Sequence, residues 1–288
     1  MLRAGPFSDE RVTGLANRRF VPFFFDLSVR GAAGDPDARR FLVQARPKFG
    51  RGQVPTPPVF FMTPTGEVVG EVSNYASADE VLETMLRVLR EHPEWAKPAA
   101  EEAGLKGLAK AQLLVDLQDL DGALKVLGGK ADDDYRLARG KIHRRRRAWT
   151  LMKKDLDAIG DAKLEDQVRM ERAYPMWFGR DWTQLEKHLA DFPKESARYT
   201  EARYYLGLAR FHQEKKGEAL ATWKATIAGC SQDPWIYRSD WAFCNAQQNK
   251  SSGSFSSSGP RTSPLNRIGY LGPKNPDLDG PTPRRRTR

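Results

Sequence analysis

The side chains that could do chemistry in this 288-residue chain are few and far apart. Its two cysteines, Cys230 and Cys244, stand fourteen residues from each other. That spacing gives no basis for the low-pKa thiolate of a Cys-x-x-Cys dithiol. Cys230 follows Ala228-Gly229 at a helix end, and Cys244 sits in the apolar stripe Trp241-Ala242-Phe243-Cys244. Both read as buried structural thiols, since free cysteine packs as a small hydrophobe. The histidines His92, His143, His188 and His212 share no metal-ligand spacing, so no metal or cofactor is expected. No Ser-His-Asp order or paired-carboxylate motif stands out. Gly50-Arg51-Gly52 lacks the Gly-Lys-Ser/Thr ending of a phosphate-binding loop.

Charge is the other candidate. Lys+Arg 47 against Asp+Glu 37 gives a net +10. Lys141 with Arg144, Arg145, Arg146 and Arg147, and Arg284, Arg285, Arg286 and Arg288 at the end, supply nine of those charges. The rest of the chain is therefore almost neutral. The Lys141–Arg147 run reads as the solvated face of a helix, with Asp132-Asp133-Asp134, Asp155 and Asp157 as nearby counter-charges. No aromatic-interleaved basic surface accompanies it, so a nucleic-acid partner is not expected. A mean hydropathy of −0.63 and the lack of any apolar run near 18 residues argue against a membrane span. The first residues, Met1-Leu-Arg-Ala-Gly-Pro-Phe-Ser-Asp-Glu-Arg, hold no apolar stretch of signal length, and as written the chain reads as cytoplasmic.

Three textures follow one another. Residues 1 to about 92 alternate strand-like runs with helical periodicity, residues about 98 to 246 read as helix after helix, and residues 247 to 288 are Ser-, Gly-, Pro- and Arg-rich. Breaker-rich stretches, Glu91 to Pro98 and Asn249 to Gly253, separate them. In the first region Ser8-Asp9-Glu10 caps a short helix that carries Val12, Leu15 and Ala16 and ends at Asn17-Arg18-Arg19. Phe20 to Leu27 is a near-continuous apolar run, the mark of a strand buried in a parallel sheet. Asp35-Pro36-Asp37 opens a helix with Ala38, Phe41, Leu42 and Ala45 inward. Val59 to Met62 forms a strand that turns through Thr63-Pro64-Thr65-Gly66 and returns as Glu67 to Val72. Ser77-Ala78-Asp79-Glu80 is a capping box before the buried stripe Val81, Leu82, Met85, Leu86 and Leu89.

That order, with Thr56-Pro57-Pro58 leading into Val-Phe-Phe-Met-Thr-Pro-Thr-Gly-Glu-Val-Val-Gly and an Asn-Tyr-Ala-Ser-Ala-Asp-Glu helix start, resembles the C-terminal two thirds of a thioredoxin-like domain over residues 1 to about 90. The resemblance implies a cis Thr56-Pro57 bond in a substrate-facing loop of Thr56, Pro57 and Pro58, with Phe23, Phe25, Phe60 and Met62 packed beneath the sheet. It also implies a Cys-x-x-Cys just before Met1 to Ala4 and a central strand ahead of it, which these residues do not contain. Three explanations are open, a chain begun at an internal methionine, two strands closed directly on one another, or a strand lent by another chain, and the first is the simplest.

In the helical region Leu206-Gly207, Ala219 twelve residues after the glycine and Trp223 four beyond it match the small and large packing positions of a tetratricopeptide repeat. Ala111, Ala123 and Leu127 echo them. Val168, Ala173, Tyr174, Trp177, Leu185 and Leu189 suggest a further hairpin, interrupted at Pro175. The tryptophans Trp177, Trp182, Trp223, Trp235 and Trp241 are mostly core, with some lining a groove.

The fold class expected is therefore α/β plus all-α. A truncated thioredoxin-like sheet (1–95) precedes a helical-hairpin, tetratricopeptide-like array (98–246) and a disordered tail (247–288). Two functions follow. One is a non-catalytic module that binds a protein or peptide through its helical array. The other is a thiol-disulfide oxidoreductase whose dithiol lies upstream.

Overall fold

The computed structural model describes residue 7 and residues 9–21, 59–72, 76–97, 100–229 and 233–248. Within them the chain is mostly helical, with one small antiparallel sheet. Helix α1 (Glu10–Arg19) opens on Asp9, whose side chain accepts from the Arg11 N–H. Strands β1 (Val59–Met62) and β2 (Val68–Val72) form a hairpin with Val59 opposite Val72. Helix α2 (Ala78–Glu91) begins with the full capping box, Ser77 Oγ accepting from Glu80 N–H while the Glu80 carboxylate accepts from Ser77 N–H. Val12 and Leu15 of α1, Phe61 and Val72 of the hairpin, and Val81, Met85 and Val88 of α2 close one core.

One detail differs from expectation. Phe61 is the buried residue of β1, while Phe60 and Met62 lie half-buried on the other face. Alternation fixes this, because a strand turns successive side chains to opposite faces and Phe61 is the one turned toward α2 and Gly70. Phe20 and Val21 carry no strand. The rest of the expected strand to Leu27, the helix after Asp37, and the Thr56-Pro57-Pro58 loop lie outside the described residues.

From residue 100 the chain runs through a short helix α3 (Ala100–Ala103). Four helical hairpins follow: α4 (Gly107–Asp116) with α5 (Leu120–Leu127), α6 (Asp133–Arg145) with α7 (Trp149–Asp157), α8 (Glu165–Gly179) with α9 (Trp182–Leu189), and α10 (Tyr199–His212) with α11 (Lys216–Ala228). A last helix, α12 (Pro234–Gln248), packs on α11. Each hairpin repeats one register. Ala111, Gly140, Ala173 and Gly207 are its small residues, and Leu127, Leu156, Leu189 and Trp223 follow sixteen residues later. Ala123, Met152, Leu185 and Ala219 stand between them, twelve after the small residue. All twelve are buried.

The turns repeat as closely. Seven residues after each small position comes a left-handed residue, Gln118 (φ 66°), Arg147 (56°), Arg180 (59°) or Glu214 (64°). The next N–H reaches back to close a six-residue loop, Asp119 to the Leu114 carbonyl, Ala148 to His143, Asp181 to Met176 and Lys215 to Arg210, at 2.8 to 3.0 Å. This is the Schellman helix stop, and it aims each second helix back along the first.

Each first helix (α4, α6, α8, α10) packs on its own partner and also on the next first helix, α12 taking that place after α10. Among the described residues the second helices make no comparable contacts with one another. A stack in which one row is closer than the other curves toward the close row, so the first helices line the inner side. The expected break at Pro175 does not occur, and α8 runs through it. Proline here costs one backbone hydrogen bond, but the helix is held on both sides by buried Ala173 and Tyr174 and by Trp177 and Phe178 packed on the same core.

Candidate interaction site

The four packing residues read from the sequence do come together. Leu206, Ala219 and Trp223 are fully buried. The Gly207 backbone lies so close to the Trp223 indole that a Cβ there would sit 2.1 Å from Nε1. Trp223 Nε1–H donates to the Tyr204 carbonyl at 3.2 Å. These residues build the hairpin rather than offer a surface. Thr56, Pro57, Pro58 and Cys230 lie outside the described residues, as do the C-terminal arginines. Cys244 is half-buried on α12. Burial, reinforced by Asp240, pushes its pKa up to about 12, so it is protonated and unreactive at neutral pH.

The basic run is solvated only at its end, where Arg146 and Arg147 are exposed, while Lys141, Arg144 and Arg145 on α6 are half-buried. Arg144 Nε donates to Glu171 Oε2 at 2.6 Å and its Nη2 to Glu10 Oε1 at 2.7 Å. Arg145 Nε donates to the same Glu10 oxygen at 3.1 Å. Lys141 Nζ holds Gln167 Oε1 at 2.9 Å, Arg146 pairs with Asp121 at 2.6 Å, and Arg147 lies over the Phe178 ring at 4.7 Å. The counter-charges expected nearby serve other partners, Asp155 taking Arg139 and Asp133 taking Arg136.

These contacts belong to a larger network on the inner row. Glu171, 1% exposed, lies 3.5 Å from Arg198 Nη1 as well as against Arg144. Arg198 Nε donates to Glu201 Oε2 at 2.5 Å, the Tyr174 hydroxyl donates to Glu201 Oε1, and the Arg144 guanidinium stacks 4.3 Å over the Tyr174 ring. Burial, with Glu201 beside it, holds the Tyr174 hydroxyl above its ordinary pKa. Burial likewise lowers the pKa of Lys141. Charges this deep are stable only as a paired set, since each alone would pay its full desolvation. Aromatic edges continue the row, Trp177 against Tyr205 and Tyr205 against Trp235.

Helix α1 is laid against this row. Its Glu10 meets Arg144 and Arg145, Arg18 Nε donates to Asp116 at 3.0 Å, and Gly14 allows the backbone of α1 to approach Asp116. Arg19 makes a two-toothed pair with Glu102 of α3, both bonds 2.9 Å and both side chains about 5% exposed or less. Between α1 and the array an open cleft of about 360 Å³ is lined by Glu10, Thr13, Gly14, Asn17, Arg18, Gln112, Asp116 and Arg145. Partial desolvation alone would raise the Glu10 pKa, but Arg144 and Arg145 outweigh it and hold the carboxyl at about 2. Sequence reasoning missed Glu10, Glu171, Arg198 and Glu201. For Glu171 and Glu201 a signal existed, a glutamate set among the apolar positions of a first helix.

Among the described residues no group of three or more His, Cys, Asp or Glu side chains converges as a metal site would require. No helix among them is long and apolar enough to cross a membrane. Compared with protein-family models, with curated proteins and with solved structures, the chain matches none.

Proposed function

We propose that the chain is a non-catalytic protein-interaction module. A tetratricopeptide-like array presents its inner row to a protein or peptide, and a thioredoxin-like unit is carried on α1 at one end of that row. The observation that supports this most is the shared register of the four hairpins, with a small residue, a large residue and the same left-handed turn at fixed offsets. Stacked repeats of this kind spend those positions on packing and leave the inner helix faces free to vary for recognition. Along this row stand Lys141, Gln167 and Trp177, all half-buried, a mixture of aromatic and polar groups suited to a binding surface. Thiol–disulfide exchange needs a thiolate, and Cys244 with a pKa of about 12 does not provide one.

Panning a random peptide library on the full chain tests the reading. Selected peptides should lose at least about tenfold in affinity for Gln167→Arg, the scale of a central contact. They should bind Lys153→Glu and Lys187→Glu, on the second helices, unchanged. The reverse pattern would reject it.

A further inference from the structure

Glu10 meets the array as a ligand meets a receptor. Its side chain stays 49% exposed, whereas Arg144 and Arg145 are 12% and 10% exposed. The receptor side is fixed without it. Arg144 is held by Glu171 and by the Tyr174 ring, and Arg145 Nη1 donates to the Val115 carbonyl at 3.3 Å. Lys141, one turn before Arg145, is oriented by Gln167. Beside Arg145 the cleft offers Thr13, Asn17 and Gln112, polar partners for the backbone of an approaching chain. The apolar residues of α1, Val12 and Leu15, are committed to the core with β1, β2 and α2, so Glu10 can turn away without opening that core.

Resting on the interaction reading above, the geometry points to an acidic segment of a partner protein as the ligand of Arg144 and Arg145, with Glu10 occupying their site as a built-in competitor. Charge decides the class of partner. Arg18 with Asp116 and Arg198 with Glu201 balance each other. With Glu10 turned away, the carboxylate left paired with this basic group among the described residues is Glu171, on Arg144. A carboxylate is the group already seated there, and Glu171 and Asp116 flank the site, where they oppose the continuous charge of a polyphosphate.

The test uses the full chain and a fluorescein-labelled, C-terminally amidated octapeptide of alternating Glu and Gly, read by anisotropy at low salt, where such pairing is least screened. An occupant present nine tenths of the time weakens a competitor by about tenfold, so Glu10→Gln should bind the peptide at least about tenfold more tightly than the wild type. Adding Arg145→Gln should abolish the gain, and Arg146→Gln, whose partner is exposed Asp121, should leave it. In the wild type, saturating peptide should speed amide exchange at the start of α1. Equal affinity for wild type and Glu10→Gln, a gain that survives Arg145→Gln, or the same Glu10 dependence with an oligothymidylate would overturn the inference. So would absence of binding to Glu10→Gln at millimolar peptide. In every one of these cases the interaction reading stands or falls on the library experiment instead.

Discussion

Replacing Gly207 by alanine should unsettle the fourth hairpin, and one further substitution should restore it. The added Cβ would lie 2.1 Å from Trp223 Nε1 and 2.4 Å from Cε2. Trp223 is fully buried, with its N–H committed to the Tyr204 carbonyl. The ring cannot swing aside, so overpacking of about 1–3 kcal/mol adds to about 1–3 kcal/mol for a stranded buried hydrogen-bonding group. The better helix propensity of alanine returns about 1 kcal/mol, for a net loss of about 1–5 kcal/mol. Trp223→Leu alone leaves a cavity costing about 2–3 kcal/mol, below the range for truncating tryptophan to alanine. Together the two changes recreate the Ala–Leu pair of the first and third hairpins, Ala111 with Leu127 and Ala173 with Leu189. The double variant should therefore lose only about 1–2 kcal/mol, a favourable coupling of at least about 1 kcal/mol. Urea unfolding followed by circular dichroism measures all four proteins. A Gly207→Ala loss under about 1 kcal/mol, or a double variant equal to the sum of the singles, would refute the packing argument.

Other perturbations address the network and the thiol. Glu171→Ala leaves Arg144 and Arg198 without their shared buried carboxylate and should cost about 3–5 kcal/mol, read as a drop in the urea midpoint. Glu10 has a folded pKa of about 2 against an ordinary 4.5. Its contribution is thus complete above pH 4.5 and fades as the pH falls toward 2, and wild type should lose more stability than Glu10→Gln between pH 5 and pH 3. In native protein at pH 8, Cys244 should resist iodoacetamide, as peptide mass spectrometry can follow, and react promptly only after denaturation.

Much of the array could be read from residue types, and its gaps have physical causes. Gly207, Ala219 and Trp223 announced the last hairpin because a glycine opposite a tryptophan is a strong pairing. The second hairpin, Gly140 with Leu156, went unread because the basic run after the glycine looked like a solvated surface. The helix stops were silent as well. The left-handed position, where glycine is favoured, holds Gln118, Arg147, Arg180 and Glu214, so nothing in the sequence marked where α4, α6, α8 and α10 end. Pro175 gave the opposite error, a breaker inside a helix that tertiary packing keeps intact. The α1 contact had no local sign at all, since Glu10 and Arg144 are 134 residues apart. In the N-terminal unit the capping box at Ser77 and the hairpin turn were legible, while which face of β1 is buried was misjudged by one residue.

The most direct test of an inner-row binding surface is the amide-exchange footprint of a library-selected peptide on the full chain. Protection confined to α6, α8 and α10, with α5, α7, α9 and α11 unchanged at their exposed faces, is the expected result. Protection centred on the second helices, or on the β1–β2 hairpin with the first helices unaltered, would contradict it.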